Sequence, residues 1–127
     1  MKYLIDTHIF LWAVTMPEKN TLKVRKILDD FDNFLFISIV SLWEIAIKHG
    51  IGKLELSVSF DDLQMAIVDN KITVLDISYQ AVKYVDILPL YHRDPFDRML
   101  VAQSMADDLT ILSKDIIFDE YKIKRIW

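Results

Sequence analysis

Two short runs of apolar residues in this chain do not alternate with polar ones. Tyr3-Leu4-Ile5 is closed by Asp6, and Phe34-Leu35-Phe36-Ile37 is closed by Ser38. A strand with one wet face alternates apolar and polar side chains, so an unbroken apolar run predicts a strand covered on both faces. Such strands lie in parallel sheets, and parallel neighbours need crossover segments, usually helices. The rest of the chain supplies them. Thr7 to Val14 reads as a helix, and a second runs from about Thr21 to Asp30 with Asn20 as its candidate cap. Ser38 caps a helix to about Lys48, which Gly50 and Gly52 stop. Ser59 caps Phe60 to Asp69, a strand follows over Ile72 to Leu75, and Ser78 caps a helix that runs to about Leu88 and breaks at Pro89. A strand over Leu109 to Leu112 ends in Ser113-Lys114-Asp115, then a helical turn and a small strand near Ile123 to Ile126 finish the chain. Leu54 to Val58 fits neither period. Alternating strands and helices across residues 1–127 predict one α/β domain on a mostly parallel sheet.

The best-marked helix start is His92-Arg93-Asp94-Pro95-Phe96-Asp97-Arg98-Met99-Leu100-Val101-Ala102-Gln103. Asp94 is a good N-cap, Pro95 suits the first helical position, and Asp97 falls where a carboxylate meets the positive end of the helix dipole. From Phe96 to Ala106 the apolar residues cover most of the circumference, so this helix is expected to be largely buried. A carboxylate-loaded start on a buried helix is either a well-made cap or part of a site.

In open parallel sheets, functional groups collect beyond the carboxyl ends of the strands. Asp6 and Asp115 both follow a strand end, and the helix from Asp94 leads into the strand that delivers Asp115. Each acid also has an ordinary structural explanation. Asp6 can cap the helix at Thr7, Asp94 its own helix and Asp115 the turn at Ile116, while Glu44 stands four residues before Lys48, the favoured order for an ion pair. Meeting in one crevice, however, these carboxylates would repel one another and be costly to bury without a cation. The usual remedy is a hard divalent ion such as Mg²⁺, which suits carboxylates, water and substrate phosphate. The chain has no cysteine, and His8, His49 and His92 lack tight ligand spacing, which argues against zinc.

Charge and hydropathy bound the remaining classes. With 15 Lys and Arg against 19 Asp and Glu, the net charge of −4 argues against a protein that coats nucleic acid electrostatically, though not against one that cuts it. Lys2 precedes only a short apolar run that Asp6 interrupts, and no uncharged run approaches the roughly 20 residues of a membrane span. A soluble, cytoplasmic protein is expected.

Four segments together carry a resemblance. Leu4-Ile5-Asp6-Thr7-His8, Ser41-Leu42-Trp43-Glu44-Ile45, Asp94 to Gln103 and Leu112-Ser113-Lys114-Asp115 resemble, in order and spacing, the PIN-domain ribonucleases. The nearest likeness is to the VapC-like toxins of type II toxin–antitoxin modules. The resemblance implies a three-layer α/β/α sandwich and an acidic quartet that holds Mg²⁺ or Mn²⁺ and cuts RNA. Carried over, that quartet is Asp6, Glu44, Asp97 and Asp115, with Asp6 and Asp97 as first-choice metal ligands. Thr7, Asp94, Ser113 and Arg98 are candidates for contacts behind the metal or to substrate; Ser113 stands where many relatives carry Thr. His92, Arg93, Lys48 and Lys114 are further candidates to hold the RNA backbone. The resemblance also implies a homodimer and a small antitoxin that blocks the site; the aromatic positions Phe10, Trp12 and Trp43 fit such contacts and fit an ordinary core equally.

Two other readings compete. A phospho-acceptor receiver domain requires an acidic pair and an acceptor aspartate at a middle strand, and here the middle strands end in Ser38 and Asp76. A haloacid dehalogenase-type phosphatase requires a second aspartate where this chain has His8. The stronger alternative is a catalytically silent PIN-like binding module, against which the intact set of four acids counts.

Overall fold

The computed structural model describes residues 1–127. The elements follow the order β1 (Lys2–Ile5), α1 (Thr7–Thr15), α2 (Leu22–Asp29), β2 (Phe34–Ser38), α3 (Ile39–Gly50), α4 (Phe60–Asp69), β3 (Ile72–Leu75), α5 (Tyr79–Ile87), α6 (Pro95–Asp107), β4 (Thr110–Leu112) and β5 (Arg125–Ile126), with short 3₁₀ turns at Pro17–Lys19 and Ile116–Glu120. The five strands form one parallel sheet in the order β3-β2-β1-β4-β5. The α/β expectation is met.

The sheet is covered on both faces at β1 and β4, whereas in the second apolar run Phe36 is only half-buried and Phe34, at the strand's start, is exposed. Tyr3, Ile5, Leu35, Ile37 and Leu112 point into one core with Ile9, Phe10 and Leu11 of α1, Val24 of α2, Ile45 of α3, and Leu63 and Ile67 of α4. Leu4 and Ile111 point the other way, into a second core with Ala81 of α5, Leu100, Val101 and Ala102 of α6, and Phe118 and Tyr121. Alternation is present in β1 after all, but both of its faces are dry. A polar substitution at Leu4 or Ile5 therefore breaks one core or the other.

Most helix starts lie where cap chemistry predicts. Ser38, Ser59 and Ser78 each accept a backbone N–H of the following turn, and Ser59 with Asp62 completes a capping box. One assignment is corrected. The cap of α2 is Thr21, whose hydroxyl accepts the Val24 N–H, and Asn20 instead lies buried with its amide donating to the Ile9 carbonyl of α1. At the end of α3, Gly52 has φ +75°, the left-handed conformation that turns the chain out of the helix. Residues 54–58 are irregular, yet Leu54, Leu56 and Val58 pack at every second position against the first core.

The strand order fixes where function can collect. From β1 the chain winds outward through β2 to β3, then crosses back so that β4 joins the opposite side of β1, in register from Tyr3 opposite Thr110 to Ile5 opposite Leu112. The reversal lies between β1 and β4. The segments leaving these two strands, at Asp6 and Ser113, therefore diverge from one crevice at the carboxyl edge, and the Asp6 N–H still bonds to Leu112 O.

Candidate metal centre

Cap and site are the same residues here. Asp6 caps α1: its Oδ1 accepts the Thr7 N–H at 2.7 Å, while Oδ2 accepts the Ser113 hydroxyl at 2.6 Å. Ser113 Oγ accepts in turn from the Asp115 N–H at 3.0 Å, which ties the segments after β1 and β4 together. Asp94 caps α6, with Oδ1 accepting the Phe96 and Asp97 N–H groups, and Asp115 caps the 3₁₀ turn at Ile117. Each carboxylate keeps lone pairs free after capping. Glu44 enters from α3, with Oε1 accepting the Thr7 hydroxyl at 2.8 Å and Oε2 bound by Lys48.

These side chains converge. Asp6, Glu44, Asp94, Asp97 and Asp115 line one cavity of about 400 Å³, together with His8, Ile9, Trp12, Lys48, Lys114 and Ile116. Of the sequence-derived candidates, the structure thus gathers all four acids with Asp94, and sets Thr7 and Ser113 directly behind Glu44 and Asp6. Arg98 is not at the cavity. Its guanidinium donates to the carbonyls of Val85, Leu88, Pro89 and His92, and so fastens the segment after α5 onto α6. Arg93 is exposed and outside the lining.

Crowding of like charge shows in the titration of the acids. Burial raises Asp97 first, and the charges of Asp6, Asp94, Glu44 and Asp115 raise it further, to about 8. Asp6 is also raised, chiefly by burial, against the lowering effects of the Ser113 hydroxyl, His8 and the Thr7 N–H. The Lys48 ammonium is held protonated above its usual range by its bond to Glu44. Without a cation, then, the cluster accommodates itself by keeping a proton on Asp97 at neutral pH.

His92 was anticipated only as a backbone contact, and the structure gives it a more central position. Its Nε2 lies 2.9 Å from Asp97 Oδ2 and 3.5 Å from Asp115 Oδ2, without the alignment of a hydrogen bond to either. These three side chains bring their ligand atoms within 4.8 Å of one another. The Asp94 N–H donates to His92 Nδ1 at 3.2 Å, so the neutral ring carries its proton on Nε2. Nε2 is thus the ring nitrogen turned to Asp97 and Asp115, and the carboxylate oxygens of the four acids make up most of the donor set. The Tyr121 hydroxyl fixes the approach, accepting the His92 N–H and donating to Pro89 O. A histidine two residues ahead of the α6 cap shares its rim, and that spacing was the available signal.

Carboxylate oxygens on partly buried acids, with one imidazole beside them, are a donor set that suits a divalent cation. The comparisons with known proteins agree with the fold on which this centre is built. Similar folds occur in VapBC2 from Rickettsia felis, a structure bound to a DNA fragment from their promoter, with 17% identity and a TM-score of 0.73 over 99% of this chain and 98% of that one. VapBC-1 from nontypeable Haemophilus influenzae gives 14% identity and 0.69 over 99% and 97%. DNA-bound VapBC from Salmonella typhimurium gives 16% and 0.69 over the same shares. No curated protein matches the sequence. The family model described as PIN domain matches residues 3–124, nearly the whole chain, and the protein belongs to the PIN domain family.

Proposed function

We propose that this protein is a divalent-metal-dependent ribonuclease and the toxin of a toxin–antitoxin pair, acting in the cytoplasm as a homodimer that a small antitoxin protein restrains. The observation that carries the reading is the convergence of Asp6, Glu44, Asp97 and Asp115, from four separate segments, on one cavity in which Asp97 is pushed up to about 8. Capping and the Lys48 pair account for some of these oxygens, but crowding the four acids together costs the fold stability that a bound cation would return. Its likeness to toxin–antitoxin complexes such as VapBC2 and VapBC-1 supports the toxin assignment.

Asp6 and Asp97 would hold the ion directly, with Glu44 and Asp115 completing its oxygen shell or binding through water. Mg²⁺, or Mn²⁺ in its place, supplies charge neutralisation at the scissile phosphate and acidifies a water for attack. The chain's own residues do the positioning. Ser113 and Thr7 each occupy one oxygen of Asp6 and Glu44, which fixes the orientation of the other lone pairs. His92 Nε2 stands beside Asp97 and Asp115, 2.9 and 3.5 Å from their nearer oxygens, and adds a third polar group to that side of the site. Lys48 and Lys114 offer cations at the same wall for the RNA backbone.

The test is cleavage of a structured RNA mixture by antitoxin-free protein in Mg²⁺, in Mn²⁺ and in chelator, beside Asp6→Asn and Asp97→Asn proteins purified identically. The reading expects metal-dependent cleavage that both variants lose while remaining folded. Equal behaviour of wild type and variants would mark the activity as contamination and favour a silent binding module.

A further inference from the structure

The cavity has an aromatic wall that cation binding leaves unused. His8 and Trp12, one helical turn apart on α1, both line it beside the carboxylates. Their ring centroids are 6.1 Å apart with the planes tilted by 50°. Trp127, just after β5, stands 6.1 Å from Trp12 at the same tilt. Lys19 Nζ lies 5.8 Å from the Trp12 ring centroid. Trp12 packs against the first core, yet it is only half-buried and keeps part of its surface in the acid cavity, and His8 is exposed.

Packing accounts for the part of Trp12 turned to the first core, and the part in the cavity shares a wall with five carboxylates and two lysines. Its combination with a neighbouring imidazole and nearby cations matches what an unpaired nucleotide offers. The base has a π-face, which stacks on aromatic rings with little regard to sequence, and the phosphates on either side seek lysine. In a duplex that face is already covered by adjacent bases, so a stacking wall beside the cutting centre selects single-stranded segments. We infer that Trp12, with His8 beside it and Trp127 packed near it, is a stacking platform for the base of a nucleotide flanking the bond that is cut. Lys19, exposed and on a flexible stem, is placed to leave the ring for a flanking phosphate.

The inference rests on the ribonuclease reading, and the experiment separates the two. Cleavage of an unstructured RNA oligonucleotide is followed in Mg²⁺ for wild type, Trp12→Phe and Trp12→Leu, with an abasic residue walked through the positions around the mapped cut. One flanking abasic position is expected to raise KM for wild type about 5- to 150-fold, the range of a single base–aromatic stack. Trp12→Leu is expected to raise KM similarly on the intact oligonucleotide and to add little on the abasic one, while Trp12→Phe retains most of the affinity. Annealing the oligonucleotide to its complement is expected to protect it. The abasic arm leaves the protein unaltered, so a folding defect in Trp12→Leu cannot imitate the result. Cleavage by wild type that ignores every abasic position overturns the stacking platform and leaves the ribonuclease standing. No metal-dependent cleavage of any RNA overturns both.

Discussion

Replacing Asp97 by asparagine should stabilise the metal-free protein, by an amount that depends on pH. Asp97 is raised from 3.8 to about 8, first by burial and then by four neighbouring carboxylates, and its side chain is only 18% exposed. At 1.36 kcal/mol per pKa unit the change corresponds to a ceiling of about 5–6 kcal/mol, which local relaxation and water entry will reduce to about 2–5 kcal/mol. The folded state binds the Asp97 proton more tightly than the unfolded chain does. Its full stability is therefore present below about pH 4, falls as pH rises toward about 8, and levels off above that. Asparagine keeps the shape and removes the titration. In chelator, urea unfolding at a series of pH values should show Asp97→Asn gaining on wild type by up to about 1.4 kcal/mol per pH unit across this window. Parallel curves for the two proteins, or a wild type that gains on the variant as pH rises, would refute the reasoning that Asp97 is a crowded, desolvated acid.

Two further outcomes follow from the hydrogen-bond geometry. Ser113→Ala removes the donor to Asp6 and the acceptor for the Asp115 N–H, and should weaken Mn²⁺ binding about 10- to 100-fold, with Ser113→Thr restoring it; unchanged affinity in the alanine protein would contradict the positioning role. Arg98→Ala removes the donor shared by four carbonyls, of which only Pro89 O keeps a side-chain partner in the Tyr121 hydroxyl, and should cost about 1.5–3 kcal/mol in urea unfolding while exposing residues 85–92 to protease. Arg98→Lys recovers only part of this, because an ammonium lacks the guanidinium fork, and wild-type protease resistance in Arg98→Ala would count against the account.

What the sequence disclosed and what it hid divide along physical lines. Strand β1 was legible because burial on both faces leaves an unbroken apolar run, β2 because its run is apolar although Phe34 is exposed, and Ser38, Ser59, Ser78 and Asp94 because capping is local. Asn20 and Thr21 are both cap-forming types on adjacent positions; the contact that decides between them, Asn20 with the Ile9 carbonyl, is tertiary. Whether Asp6 and Asp94 are caps or site residues proved a false choice, since a carboxylate can cap with one lone pair and face the cavity with others. Arg98 and His92 were the least legible. Both depend on how the segment after α5 folds back over the start of α6, and no periodicity records that path.

The central claim is that these carboxylates form a divalent-cation centre, and calorimetric titration of the antitoxin-free protein with Mn²⁺ tests it most directly. At pH 7, in two buffers of different ionisation enthalpy, wild type should bind saturably and release about one proton per ion as Asp97 ionises, and Glu44→Gln should bind more weakly. Absence of saturable binding, or binding that releases no proton and ignores both Glu44→Gln and Asp97→Asn, would contradict it.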